Sequence, residues 1–164
     1  MTKQVILISA CLIGRHTRYD GSRKYVKPPA SWPEAITVFS VCPEVEMGLG
    51  IPREPMRLVS RSSIQLETCT TKINQTKKFE TWLSCWENRF PYSRIHGAIL
   101  KEKSPSCGLQ TPLYDAKGKI IAYTTGLFAL FLQKQFAEIL LQTEEVFKDI
   151  SVWQKFIDQI NKLA

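Results

Sequence analysis

Three stretches of the chain are largely apolar and rich in β-branched residues: positions 5–11, 36–42 and 95–100. Runs of this kind suit strands buried on both faces, as in a parallel sheet covered by helices. A polar loop follows the first at residues 14–21, Pro43 follows the second, and Lys101-Glu-Lys-Ser-Pro-Ser-Cys-Gly108 follows the third. Between the second and third runs, Phe79, Trp82, Leu83, Trp86 and Phe90 recur at helical spacing. They predict a helix over 76–90, with Thr76 as N-cap and Pro91 as the stop. Residues 126–141 predict a second helix, apolar around most of its circumference and therefore well buried. Residues 151–163 predict a third, opened by a capping box of Ser151 and Gln154, with Trp153, Phe156, Ile157 and Ile160 as its inner stripe. Residues 114–123 read as a hairpin turning near Lys117-Gly118.

No repeat or linker interrupts this order. The expectation is a single α/β domain over residues 1–164, with a central, mostly parallel, Rossmann-like sheet flanked by helices. A chain of 164 residues with 44% hydrophobic and 23% charged positions has the composition of a soluble globular protein with a real core. Ile8-Ser-Ala-Cys11 resembles a lipoprotein cleavage box, but the apolar stretch before it begins only at Val5. A signal peptide needs an apolar core of roughly 7–15 residues. No stretch approaches the roughly 18 apolar residues that would cross a membrane. A cytoplasmic protein with no membrane partner is expected. The net charge of +7 favours anionic partners such as phosphates, nucleotides or RNA. The basic residues are scattered, however, and aromatics are not interleaved with them, so large RNA is not expected as the partner.

Five cysteines without an export signal argue against a disulfide framework. Cys69 sits among threonines and Cys85 beside Trp86, and both are expected to be structural. Cys11 and Cys42 end their strand-like runs directly, and Cys107 follows the third through a short loop. These three lie too far apart in sequence to form a local motif. Only the fold can bring them together, as an open parallel sheet does when its strands end along one edge where ligands bind. A four-iron cluster usually takes four cysteines; three would leave one iron open as a Lewis acid. Zinc with three cysteines and a water is a second reading, a thiol nucleophile a third. Ordinary buried cysteines at strand ends are the plain alternative.

Around these cysteines stand Ser9-Ala-Cys-Leu-Ile-Gly14, Arg18-Tyr-Asp-Gly21, Cys42-Pro-Glu44, Gly48, Pro52-Arg-Glu-Pro55 and Lys103-Ser-Pro-Ser-Cys-Gly108. In this order they resemble the thiouracil desulfidase family, once catalogued as a domain of unknown function, over roughly residues 5–141. The resemblance implies a [4Fe–4S] cluster on Cys11, Cys42 and Cys107, with the fourth iron free for the sulfur of a thiolated pyrimidine. It also implies catalytic roles for Glu44, as base toward water, and for Ser104, which would donate to the departing sulfur or orient the substrate. The products would be sulfide and an oxo-pyrimidine such as uracil or a uridine nucleotide. The expected partner is thus a small thiolated pyrimidine or its nucleotide. Arg18, Tyr19 and Asp20 could grip a ribose or phosphate, or only pin their loop to itself. Arg53 and Lys103 are candidates for phosphate contact, and Ser106 joins the substrate-binding set. His16, between two arginine-bearing turns of the loop, is expected at the surface or the substrate's edge rather than as a ligand. Relatives tend to carry a glycine-rich stretch where this chain has Ile121-Ala-Tyr-Thr-Thr-Gly126, which is expected to shape the far wall of the pocket. A basic nucleotide- or RNA-binding module without chemistry remains an alternative of a different class.

Overall fold

The structure, a computed structural model, describes residues 3–90 and 94–163. One four-stranded sheet is formed by β1 (Gln4–Ser9), β2 (Ile36–Val41), β5 (Gly97–Leu100) and β8 (Leu140–Thr143). Its order is β2-β1-β5-β8, and every neighbouring pair is parallel. All six residues of β1 are buried. Val5 and Leu7 join the core under α2 (Thr76–Arg89) and α3 (Leu127–Gln135), where Phe79 and Phe128 are packed. Ile6 and Ile8 face the opposite way, against Trp153, Phe156, Ile157 and Ile160 of α4 (Ile150–Lys162). The pleat thus sends alternate side chains into two cores, as the continuous apolar run demands. Gly97 lets α4 sit directly on β5: a Cβ there would meet Ile160 Cδ1 at 2.6 Å.

A second sheet was not legible in the sequence. It contains β3 (Met56–Ser60), β4 (Ile64–Thr68), β6 (Thr111–Tyr114) and β7 (Ile120–Thr124) in the order β4-β3-β6-β7. Only the β3–β6 pair is parallel, so the sheet is mixed. The hairpin over 114–123 is its β6–β7 half. The β3–β4 half was hidden by charge. Glu67, only 2% exposed, is gripped by Arg57 and Arg61 at 2.8 and 2.9 Å. Leu58, Leu66 and Leu113 carry this sheet into the core shared with Val5 and Leu7.

Three boundaries differ from expectation. The helix predicted over 126–141 ends at Gln135, and residues 140–143 form β8, the fourth parallel strand. An unbroken apolar stretch fits a buried helix and a buried strand equally well, so periodicity could not divide them. The third helix is capped by Asp149, which accepts from the Ser151 and Val152 N–H groups, rather than by a Ser151–Gln154 box. Its inner stripe is as expected. Thr76 is the first helical residue of α2, not its cap; its hydroxyl accepts from Leu66 N–H at 2.9 Å and ties the helix to β4. Pro91, the expected stop, lies outside the described residues. Among the described residues no helix is long and apolar enough to cross a membrane.

Two outcomes follow from this packing. Trp153→Ala should destabilise the fold by about 3–5 kcal/mol in urea titrations, the range for emptying a buried aromatic site. For Glu67, burial pushes the carboxyl up, yet the hydrogen bonds and charges of Arg57 and Arg61 prevail and hold it below its ordinary 4.5. Its stabilising contribution is therefore complete above the ordinary value and is lost as pH falls through the depressed one. Glu67→Gln should be less stable than wild type at neutral pH, and the urea midpoints of the two should converge as the solution is acidified.

Candidate active site

Cys11 and Cys42 sit just past the carboxyl ends of parallel strands, and Cys107 follows a third strand through a loop. β1 ends at Ser9, and a single 3-10 turn, Ala10–Ile13, presents Cys11 before Gly14 closes it at φ +94°. β2 ends at Val41, and Cys42 stands extended as the N-cap of α1 (Pro43–Glu46). The Cys42 N–H donates to Glu46 Oε1 at 3.0 Å. Beyond β5 the loop carrying Cys107 is ordered by two side chains. The Glu102 carboxylate accepts from the N–H groups of Lys103, Leu109 and Gln110 at 2.9, 3.1 and 2.9 Å. Ser104 Oγ accepts from those of Ser106 and Cys107 at 3.3 and 3.1 Å. Gly126 backs onto the same loop: a Cβ would meet the Ser106 carbonyl carbon and oxygen at 2.7 Å.

The three loops open onto one cavity of about 310 Å3. Cys11, Cys42 and Cys107 line it, together with Glu44, Ser104, Ser106, Arg18, Tyr19, Arg53 and Lys103. Asp20 does not; its carboxylate accepts from Ser22 N–H and Oγ–H at 3.0 and 2.6 Å and so pins the loop to itself. His16 is exposed, with its ring on the Gly21 carbonyl at 3.0 Å, and also lies off the cavity. None of residues 121–126 lines the cavity either. That stretch acts from behind, through Gly126, rather than as a wall. Cys69 is half-buried and Cys85 exposed, both away from the site. Sequence reasoning missed Ser9, Thr17, Lys101 and Glu102, which also line it. Their signal was proximity, since each lies within a quoted motif or beside one. Thr17 Oγ1 is buried there without a hydrogen-bond partner.

The thiols are electrostatically joined. Burial pushes Cys11 up to about 11; Cys42 adds to the shift, while Lys101 and Arg18 oppose it. Burial raises Cys107 much further. A hydrogen bond from Ser9 counters this, and Cys42, Glu44 and Cys11 reinforce it. Burial raises Cys42 as well. Left alone, all three stay protonated at neutral pH; a bound metal centre is what would hold them as thiolates. Among the described residues, however, no three His, Cys, Asp or Glu side chains close around a single point as the ligands of one ion do. Glu44 is fixed from two sides. Its Oε2 accepts from Arg53 Nε at 2.8 Å and is ion-paired with Nη2 at 2.8 Å, and its Oε1 accepts from Ser106 Oγ at 3.2 Å.

A family model described as 2-thiouracil desulfurase matches residues 6–144 of the chain. The chain belongs to the 2-thiouracil desulfurase family. Membership sets it among enzymes rather than among binding modules without chemistry. The chain is 30% identical to the uncharacterized protein YbbK of Bacillus subtilis (strain 168) over 110 residues, which are 63% of this chain and 73% of that protein. It is also similar to the solved structure of a [4Fe–4S]-dependent thiouracil desulfidase, TudS. There the TM-score is 0.63 and the identity 28%, over 93% of this chain and 99% of the other. The family match begins within β1 and ends just past β8, so it spans every strand that presents a cavity loop.

The tightness of the Gly126 contact can be measured directly. Gly126→Ala should force the Ser106–Cys107 backbone to move, lowering the melting temperature. In the metal-free protein, Cys107 of the variant should react faster with iodoacetamide than in wild type, read by peptide mass spectrometry.

Proposed function

We propose that the chain is a desulfidase acting on thiolated pyrimidines, either a thiouracil or a thiouridine nucleotide, with a [4Fe–4S] cluster on Cys11, Cys42 and Cys107. The balanced reaction is thiouracil plus water giving uracil plus hydrogen sulfide, with no net electron transfer. The observation that carries this reading is the convergence of three mutually interacting thiols and one anchored carboxylate on a single cavity. Family membership and the likeness to TudS support it. The donor set fits the group. Cys11, Cys42 and Cys107 are three soft sulfur donors lining one cavity, the ligand type that iron–sulfur clusters take. Bound there, the cluster supplies a Lewis-acidic iron with an open position for a soft thiocarbonyl sulfur.

The remaining work falls to the chain's own residues. Glu44 takes the proton of the attacking water, a service worth about 10²–10⁴-fold when the base is held in place. Ser104 keeps its own hydroxyl proton while its oxygen accepts from two backbone N–H groups. That proton is available to the leaving sulfur or to the ring. Arg18, Tyr19 and Lys103, at the cavity, orient the pyrimidine and any ribose phosphate it carries. The cytoplasm, where thiols stay reduced, is the setting such a site needs.

The test is anaerobic reconstitution with iron and sulfide, then a panel of thiolated pyrimidines assayed for sulfide. Wild type should turn brown and release sulfide. Cys42→Ala should lose both colour and release, and Glu44→Gln should keep the colour while kcat falls at least about 10²-fold. Sulfide release by Cys42→Ala at the wild-type rate would overturn the reading. Salt-dependent RNA binding that survives Cys42→Ala, without turnover by wild type, would favour the binding module instead.

A further inference from the structure

We propose that Arg53 is a positioning residue, a strut that locks Glu44 to the loop following β1, and that it is not a contact for substrate phosphate. Arginine is mostly a surface residue, yet the Arg53 side chain is only 6% exposed. Its guanidinium is already occupied. Nε donates to Glu44 Oε2 at 2.8 Å, and Nη2 forms an ion pair with the same oxygen at 2.8 Å. Nη2 also donates to the Thr17 carbonyl at 2.9 Å, and Nη1 to the Gly50 carbonyl at 3.2 Å. These hydrogen bonds engage three of the five N–H donors a guanidinium has, one on each nitrogen. Phosphate recognition by arginine is a paired, fork-shaped contact, and the Nε–Nη2 edge of this guanidinium is already taken by Glu44 and the Thr17 carbonyl.

The backbone repeats the message. Arg53 N–H donates to the Tyr19 carbonyl at 2.8 Å, so the residue grips the loop at two carbonyls, Thr17 and Tyr19. Arg18 lies between those two points and reaches the cavity. Cys42 Sγ also contacts the Thr17 carbonyl, at 3.7 Å. Arg53 therefore joins the carboxylate, one cysteine corner and the substrate-facing loop into one rigid unit. The guanidinium's hydrogen bond and its ion-pair contact with the carboxylate both fall on Glu44 Oε2. Oε1 keeps only the longer bond from Ser106 and is the oxygen left for water. A carboxylate released from this grip would swing, and misplacement by about 1 Å is enough to lose about 10²-fold in rate.

The role rests on the desulfidase reading, and its test separates the two. In reconstituted Arg53→Lys, iron–sulfur absorption should match wild type and KM should stay within about two-fold, while kcat falls about 10²-fold. The fall should be equal for thiouracil and for thiouridine monophosphate, because the base has no phosphate to lose. Guanidinium ion added to Arg53→Ala should restore part of kcat, and ammonium should not. A KM increase confined to the nucleotide would overturn the strut in favour of a phosphate contact. Parallel loss of cluster and kcat with no recovery by guanidinium would reduce Arg53 to a fold support and overturn it too. Hydrogen–deuterium exchange supplies an arm that needs no turnover. Amides of residues 14–21 should exchange faster in both variants than in wild type, and unchanged exchange would overturn the strut. If wild type releases no sulfide from any thiolated pyrimidine, the desulfidase reading fails, while the exchange arm still decides the role of Arg53.

Discussion

Neighbouring strands in a sheet run about 4.8 Å apart. With β2, β1 and β5 side by side and parallel, three chain segments end at the same edge within about two such spacings. The site depends on this lateral packing. Each strand hands its chain to a different short device: a 3-10 turn for Cys11, an N-cap for Cys42, and a carboxylate-ordered loop for Cys107. No flexible connector intervenes, so the thiol positions inherit the rigidity of the sheet. The burial of β1 on both faces supplies that rigidity, since any shift in its register would turn Ile6 and Ile8 out of one core and Val5 and Leu7 out of the other.

Around that edge, the polar groups hold one another rather than the solvent. Glu102 and Ser104 satisfy five backbone N–H groups between them, which lets the loop over 101–110 be ordered without regular structure. Lys101 reaches both Glu144 and the Glu102 carbonyl, and Glu144 in turn takes the Glu102 N–H. Glu44, Arg53 and Ser106 make a second network on the other side of the cavity. Among the described residues, the Thr17 hydroxyl at the cavity has no hydrogen-bond partner.

The mixed sheet also has a part in this. Arg53 and Glu54 lie just before β3, and the Pro55 carbonyl accepts from Cys69 N–H at 2.8 Å just past β4. The Glu54 carboxylate accepts from the Thr71 N–H and hydroxyl at 2.7 Å each. The hairpin thereby anchors the segment from which Arg53 reaches the site. The buried Glu67 with its two arginines stiffens that hairpin from within. The electrostatic cost of burying these charges sits away from the chemistry, where geometry matters less.

Much of this was legible in the chain itself. The parallel core showed in its uninterrupted apolar runs, because a strand buried on both faces has no polar side to alternate. The helical stripes of α2 and α4 showed in their spacing, because one buried face imposes a period near 3.6. The short motifs marked which three cysteines and which carboxylate to watch. Other features were decided only in three dimensions. The strand at 140–143 exists because β5 offers an open edge to pair with, which no local propensity records. The β3–β4 hairpin carries buried charges that read as solvent-facing until their partners are seen. Asp20 and Arg53 looked alike as polar residues of recognition loops. One turns out to fold onto its own turn and the other to brace Glu44, because a long-range hydrogen bond is fixed by the meeting of segments and leaves no trace in either segment alone.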